Sequence, residues 1–222
     1  MKIELHAHTS ETSGCGKMPA EELIGRFRGA GYDAIVITDH LVGGNTAVPA
    51  QERAEKWLRG YRAAKKAGDR IGIRVLLGAE VRFGSRHEDI LIFGMKEEYA
   101  AWMYEIMDSE MEYGEFYRTM KEKGLLVVQA HPFRKGLIRM DYGCLDGSEV
   151  YNGNARHDNK HELAHEFGAK GGAGFIQTSG SDAHQTMDVA RGGLISPELI
   201  ENNDQLIAFL KANPQAERIE TA

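Results

Sequence analysis

Two histidines lie one residue apart near the start of the chain, His6 and His8 in "ELHAHTSETSG". On an extended strand that spacing points both imidazoles to one face. Further along, short apolar runs keep ending on groups that ligate metals or move protons. "AIVITDH" ends on Asp39 and His40, "VLLGAE" on Glu80, "LLVVQAH" on His131, and "QTSGSDAH" on Asp182 and His184. Taken alone each motif is weak: His-x-His arises on ordinary strand surfaces, and Asp after a strand is common capping chemistry. Their recurrence at one strand end after another carries the weight. Imidazole and carboxylate donors together suit Zn, Mn or Fe, and more than four donors imply more than one ion. Paired ions lower the pKa of a bridging water and clamp the oxygens of an in-line phosphoryl displacement.

Such a cluster needs a scaffold that brings distant strand ends to one place. Strand candidates are 2–5, 34–38, 73–81, 89–94, 125–130, 148–152 and 174–180. Their near-continuous apolar runs suit strands covered on both faces. Helix candidates lie between them: 19–31 with Pro19 at its start, 49–68 ending at Gly68, 96–107, 113–124, 159–172 and 201–212. Alternation of this kind predicts an α/β fold, barrel or open sheet, in which the ligand face is the one bearing the strand ends. The stretch after Pro214 is polar and is expected to fray.

Composition narrows the partners. The chain has 222 residues, 42% apolar and 27% charged, the balance of an ordinary domain with its own core. A formal charge of −6 argues against a surface that coats nucleic acid, though short oligonucleotide ends stay compatible with it. No apolar run approaches a membrane span, and "MKIELHAH" does not read as a signal peptide. Only two cysteines occur, Cys15 and Cys144, so a disulfide framework is not expected and a reducing, cytoplasmic location is.

The ordered set "LHAHTSETSG", "ITDH", "GAEV", "DILIFG", "AHPF", "EVYNGNAR" and "GSDAH" resembles the polymerase-and-histidinol-phosphatase (PHP) family over most of the chain. The resemblance implies one domain over residues 1–222, a distorted seven-stranded β/α barrel, and phosphoester hydrolysis at two or three divalent ions. It implies that His6 and His8 hold a first ion with Glu80 and Asp182, that His40 and His184 hold a second, and that Glu80 bridges to a third held also by His131. The chain departs from the family at two places. In "HEDILIFG", Asp89 stands where members usually carry a histidine, with His87 two residues before it. In the first loop, Ser13 stands where many carry Asp or His; Glu11 is the nearest carboxylate and is read as the stand-in ligand. Cys15 is read as a small packed residue, with thiolate ligation as the other reading.

The mechanism that follows is attack on phosphorus by a hydroxide bridging two ions, with His131 or His184 protecting the leaving alkoxide. Asp39 is assigned to orienting an imidazole. Arg134, Arg156 and Arg82 are candidate phosphate binders, and Glu149 and Asn152 candidate walls of the site. The expected substrate is a small phosphorylated metabolite: a sugar phosphate, nucleotide, cyclic phosphodiester or histidinol phosphate. Substrate choice is assigned to loops 41–50, 132–145 and 153–158, with Gly43 and Gly44 as hinge points of a closing loop. The competing readings are a PHP-type binding module with a degenerate site, an amidohydrolase with a related metal barrel, and a zinc protease built on "HELAH" at 161–165 with Asp182 as third ligand. The charged flanks Lys160 and Glu166 weigh against the last.

Overall fold

The computed structural model describes residues 1–221 and contains eleven strands and six α-helices. The strands pair as two sheets. The first runs β11(Arg218–Glu220), β10(Gly192–Ile195), β1(Lys2–Ala7), β2(Ala34–Ile37), β4(Arg74–Leu77). The second runs β3(His40–Val42), β5(Ala79–Arg82), β6(Ile90–Phe93), β7(Leu126–Gln129), β8(Gly147–Asn152), β9(Ile176–Gly180). The fold is therefore mixed α/β, and its pairing describes two sheets rather than one closed seven-stranded barrel.

The sheets are joined by the chain itself. The expected second strand ends as β2, and beyond Thr38–Asp39 the chain forms a further strand, β3, where the sequence predicts a loop; the expected third breaks at Gly78 into β4 and β5. β2 and β4 pair in the first sheet, β3 and β5 in the second. Gly78 sits where a Cβ would come within 2.8 Å of Val36 Cγ1, so the handover needs its missing side chain. On the other side, the His8 amide donates to the Ala183 carbonyl at 3.0 Å, and the Ala183 amide to the His6 carbonyl at 3.2 Å. These bonds bring the end of β1 beside the segment that follows β9.

β6 runs antiparallel to both β5 and β7. Its start, not its end, therefore lies beside the ends of its neighbours, which is where Asp89 stands. Two ladders also shift register, β1–β2 between Glu4 and Ala7 and β8–β9 between Glu149 and Tyr151. Such irregularities re-aim side chains, and these bracket His6 and Glu149.

The helices are α1(Ala20–Gly29), α2(Ala50–Ile71), α3(Ala100–Asp108), α4(Tyr113–Glu122), α5(His161–Lys170) and α6(Asn203–Ala212). α1 carries Glu21 and Glu22 in its first turn and Arg26 and Arg28 in its last, which complements the helix dipole. α2 buries Ala54, Trp57, Leu58, Ala64 and Ala67, one face at helical spacing, and ends on Gly72 at φ 74°. One apolar cluster joins Ile3, Leu5, Val36, Leu91, Phe93 and Val128 from both sheets to Leu206, Phe209 and Leu210 of α6. α2, α3 and α4 cover the second sheet through Trp57, Met103, Met107, Phe116 and Met120. The stretch expected to fray is ordered in part: β11 pairs with β10, and the Ser179 hydroxyl donates to the Ile219 carbonyl at 2.6 Å. No helix among the described residues is long and apolar enough to cross a membrane.

Candidate metal centre

Five imidazoles and three carboxylates converge where β1, β2/β3, β4/β5, β7 and β9 end and β6 begins. His6, His8, His131, Glu80 and Asp182 are each no more than 2% exposed. Glu80 is the hub. Its Oε2 lies 3.3 Å from His6 Nε2, 3.2 Å from His8 Nε2 and 3.1 Å from His40 Nδ1, and its Oε1 lies 3.0 Å from His131 Nε2. Asp182 Oδ1 lies 3.4 Å from His6 Nε2, 3.3 Å from His8 Nε2 and 3.2 Å from His184 Nδ1.

Buried and unpaired nitrogens say what this arrangement fits. His6 Nε2 and His8 Nε2 are sealed from solvent and form no hydrogen bond, although carboxylate oxygens stand beside them. Stranding a buried polar atom costs about 1–3 kcal/mol. Imidazole and carboxylate donors bonded to one ion at about 2.0–2.1 Å sit roughly 3.3–3.4 Å apart along the edge of its tetrahedron. The observed 3.2–3.4 Å separations match that edge. Four groups of donors come within 4.8 Å: His8–His40–His184, His6–His8–Glu80, His6–His131–Asp182 and His40–Glu80–Asp89. The residues present fit divalent metal ions.

The charges respond to one another in the metal-free chain. Burial opposes the Glu80 carboxylate, but His40 and His6 hold it well below the usual carboxylate range. Asp182 is likewise held low, against burial, by the charge of His6 and by its contact with His184. Reciprocally, His40 is drawn up to about 9, mainly by Glu80, and His184 to about 10 by Asp182, both against burial. Asp89 moves the other way, since burial and the Glu80 charge push it up.

Around these groups lies an orienting shell. Glu149 Oε1 pairs with His6 Nδ1 at 3.0 Å, while its Oε2 accepts from the His131 amide at 3.0 Å and Asn152 Nδ2 at 2.8 Å. A proton on Nδ1 leaves His6 Nε2 as the bare donor. Asp39 accepts from the Thr9 amide and hydroxyl at 2.7 and 2.6 Å and from the Ser13 hydroxyl at 2.7 Å. Ser13 Oγ in turn stands 3.4 Å from His8 Nδ1, so Asp39 reaches an imidazole through Ser13 rather than directly. Glu4 accepts from the amides of Leu5 and His6 and from the amide and hydroxyl of Ser181, tying β1 to the end of β9. His131 and Asp182 adopt φ of 27° and 49°, a left-handed backbone that costs non-glycine residues energy and gathers at functional sites.

Several sequence candidates sit elsewhere or are otherwise engaged. Glu11 does not join the cluster: both its oxygens accept from the Ala20 amide at 3.0 Å, at the N-terminus of α1. A carboxylate there is stabilised by the helix dipole. Arg82 forks onto Asp89 at 2.6 and 2.7 Å, which occupies the guanidinium meant for phosphate and both oxygens of Asp89. His87 is exposed. Arg134 donates to Asp182 Oδ2 at 2.7 Å, Asn152 at 3.1 Å and Asn159 at 3.0 Å. Arg156 binds Asn154 Oδ1 at 3.1 Å and approaches Asp188 at 3.6 Å. Gly43 is wedged rather than hinge-like, since a Cβ there would lie 2.3 Å from the Met107 carbonyl oxygen. In "HELAH", His161 pairs with the Asn152 carbonyl at 2.9 Å and His165 with Glu220 at 3.2 Å. Among the described residues neither belongs to a candidate metal group. Glu4, Thr9 and Ser181 escaped the sequence reading because their partners lie 30–177 positions away; only their polarity within or beside apolar strands marked them.

Comparison with known proteins agrees with this geometry. No curated protein matches the chain. Among solved structures, a two-domain protein from Bacteroides vulgatus containing a predicted PHP-like metal-dependent phosphoesterase superposes with a TM-score of 0.64 at 16% identity, over 100% of this chain. The chain spans 65% of the length of that protein. A predicted metal-dependent phosphoesterase from Bifidobacterium adolescentis gives 0.53 at 18% identity, covering 94% of this chain and 95% of its own. An amidohydrolase from Chromobacterium violaceum, with bound sulfate and no metal, gives 0.56 at 16% identity, covering 94% and 96%. At these identities the likeness is one of fold. The PHP domain model matches residues 4–172, which take in β1 through α5, and the chain accordingly belongs to the PHP-domain family.

Proposed function

We propose that this chain is a metal-dependent phosphoesterase acting on a small phosphorylated metabolite or nucleotide. The observation that carries the reading is the pair of buried, unbonded nitrogens, His6 Nε2 and His8 Nε2, facing Glu80 and Asp182 at the spacing of a ligand shell. Two or three ions of Zn, Mn or Fe are proposed, held by His6, His8, His40, Glu80, His131, Asp182 and His184. When bound, such ions supply positive charge for a phosphoryl group and acidify water.

The chain's own residues do the rest. Glu149 fixes the His6 ring, and Ser13, itself held by Asp39, stands against His8. Arg134 is fixed through Nε and Nη2 beside Asp182, which leaves its Nη1 edge for a phosphoryl oxygen. Arg156 lies on the next loop, about a third exposed, and is proposed as the second anion contact. With two ions bound rather than three, His131 is left unligated and is proposed to hold the proton passed to the leaving alkoxide. Asp89, clamped by Arg82, is the weakest of the candidate ligands, so a third ion would be the least tightly held. The sulfate carried by the Chromobacterium violaceum relative is a tetrahedral dianion like a phosphoryl group, which supports an anion of that shape here. Both cysteines are free, in keeping with the proposed reducing, cytoplasmic location.

Elemental analysis of the chain purified without chelator, followed by a panel of phosphomonoesters and diesters, tests the reading. Two or more equivalents of metal with chelator-sensitive turnover are expected. Metal without turnover on any phosphoester favours the degenerate binding module, and turnover confined to amides favours the amidohydrolase.

A further inference from the structure

We propose that Cys15 supplies a thiolate ligand to the ion held by His8, His40 and His184, which makes one position of the centre a mixed sulfur–nitrogen site. The inference rests on the metal-centre reading above.

Cys15 belongs to the loop between β1 and α1. Its Sγ stands 3.1 Å from His184 Nε2, with the His40 imidazole near enough to act on its charge. His184 Nδ1 is turned the other way, onto the Asp182 carbonyl at 2.9 Å, so Nε2 is the nitrogen presented to the sulfur. The loop is pinned on both sides of the cysteine. The Gly16 amide donates to the Ser13 carbonyl at 2.8 Å, and the Lys17 amide to the His184 carbonyl at 2.7 Å. Gly16 must be glycine, because a Cβ would lie 2.8 Å from the Thr9 carbonyl oxygen. Cys15 is thereby held over the His40–His184 side of the cluster.

A second observation points to a ligand there. His8 is fully buried, its Nδ1 faces Ser13, and its Nε2 forms no hydrogen bond, lying 3.2 Å from Glu80 Oε2 and 3.3 Å from Asp182 Oδ1. The His8 ring stacks between its neighbours, 4.5 Å from the His40 ring and 4.3 Å from the His184 ring. The three imidazoles place ligand atoms within 4.8 Å of one another. An ion on three imidazoles has one tetrahedral position left. Glu11 cannot fill it, being bound to the Ala20 amide. Ser13 cannot either, since its hydroxyl donates to Asp39 and accepts from the His40 amide at 3.0 Å. Glu80 Oε2 lies 3.1 Å from His40 Nδ1 and Asp182 Oδ1 lies 3.2 Å from His184 Nδ1, so both carboxylates meet these rings at Nδ1, whereas Cys15 meets His184 at Nε2. Cys15 Sγ is the remaining donor on that side. A thiolate would bias this position toward Zn, Fe or Co over the harder Mg and Mn.

Cobalt(II) reads this directly, because sulfur ligation adds a near-ultraviolet charge-transfer band to the visible bands of the ion. The reduced, metal-free full chain is titrated with Co(II), alongside Cys15→Ser and Cys144→Ser. The wild type and Cys144→Ser are expected to show both sets of bands. Cys15→Ser is expected to keep visible bands, lose the near-ultraviolet band, and bind one equivalent at least about tenfold more weakly, the lower end of what even an outer-shell loss costs. Visible bands without the near-ultraviolet band in the wild type overturn ligation by Cys15 and leave the metal centre standing. A near-ultraviolet band that survives in Cys15→Ser overturns it equally. Failure of the wild type to bind cobalt overturns both the ligand and the centre.

Discussion

His6 has two nitrogens in opposite circumstances. Nδ1 is paired with Glu149, and Nε2 is buried with nothing to bond. The carboxylate holds the proton on Nδ1 and keeps Nε2 a base, so Glu149→Gln should weaken metal binding by about 10–100-fold while the chain stays folded. Competition with a chelating dye measures it, and an unchanged affinity would show that the tautomer is set elsewhere. Cys15 makes a pH prediction. Burial opposes its thiolate, but hydrogen bonds from His184 and His40 bring the thiol down to about 5. The reactive anion is present above that value and is lost as pH falls through it. Alkylation of Cys15 in the metal-free chain should stay fast from pH 8 downward and halve only near about 5, whereas an ordinary thiol halves near about 8.5. A profile centred on the ordinary value would mean the imidazoles do not reach the sulfur.

At the scale of elements, α2 is the strut behind the first loop. Gly60 sits mid-helix, where glycine costs about 1 kcal/mol relative to alanine. The reason is contact: a Cβ would lie 2.0 Å from Thr9 Oγ1 and 2.4 Å from Asp39 Oδ2. The clash, about 1–3 kcal/mol for overpacking, outweighs the helix gain. Gly60→Ala should therefore lower thermal stability and weaken metal binding together, and a stabilised variant would show that the loop yields freely. A second tie joins α2, α3 and the 41–50 loop. Asp108 pairs with Arg53 and accepts from the Gly44 amide at 2.9 Å. The Arg53 hydrogen bond holds the Asp108 carboxyl below its usual value. Its contribution to stability is thus present above the unfolded carboxyl pKa, near about 3.9, and is lost as pH falls through the folded value. Asp108→Asn should remove that acid-side dependence and release the loop to proteolysis; an unchanged cleavage pattern would deny the tie.

For the whole molecule, the centre joins elements of both sheets: β1 from one, β5 with the residues just before β6 and just after β7 from the other, and the segment after β9. Ions that bind only the folded chain add stability, about 2.7 kcal/mol at a hundredfold excess over Kd. Zn or Mn should raise the unfolding midpoint and a chelator should reverse it, read by calorimetry. A midpoint indifferent to both would mean that the cluster is held by its own ion pairs alone.

What the sequence determined by itself is what periodicity and position can carry. The six helices fall where their apolar spacing puts them, because a helix face is a local pattern, although α2 runs through Gly68, its expected end, and stops at Gly72. The seven expected strands were legible as apolar runs, and the polar residues that end them are the ones brought together. What only tertiary structure decided is whatever depends on partners far along the chain. The break at Gly78 comes from two sheets sharing one run, and β3 forms in an expected loop because β5 is there to pair with it. β10 and β11 are only four and three residues long, and form strands because β1 offers an edge to β10 and β10 offers one to β11. Glu11 reads as a ligand until the start of α1 takes its carboxylate, and Arg82 reads as a phosphate binder until Asp89 takes its guanidinium. Asp39 and Glu149 stand out in the sequence and Glu4 does not, but the bonds by which each orients the centre come from burial beside distant imidazoles, hydroxyls and amides. The residue type states which bonds a side chain is able to make; the fold decides which of them it makes, because a buried polar group has no water to fall back on.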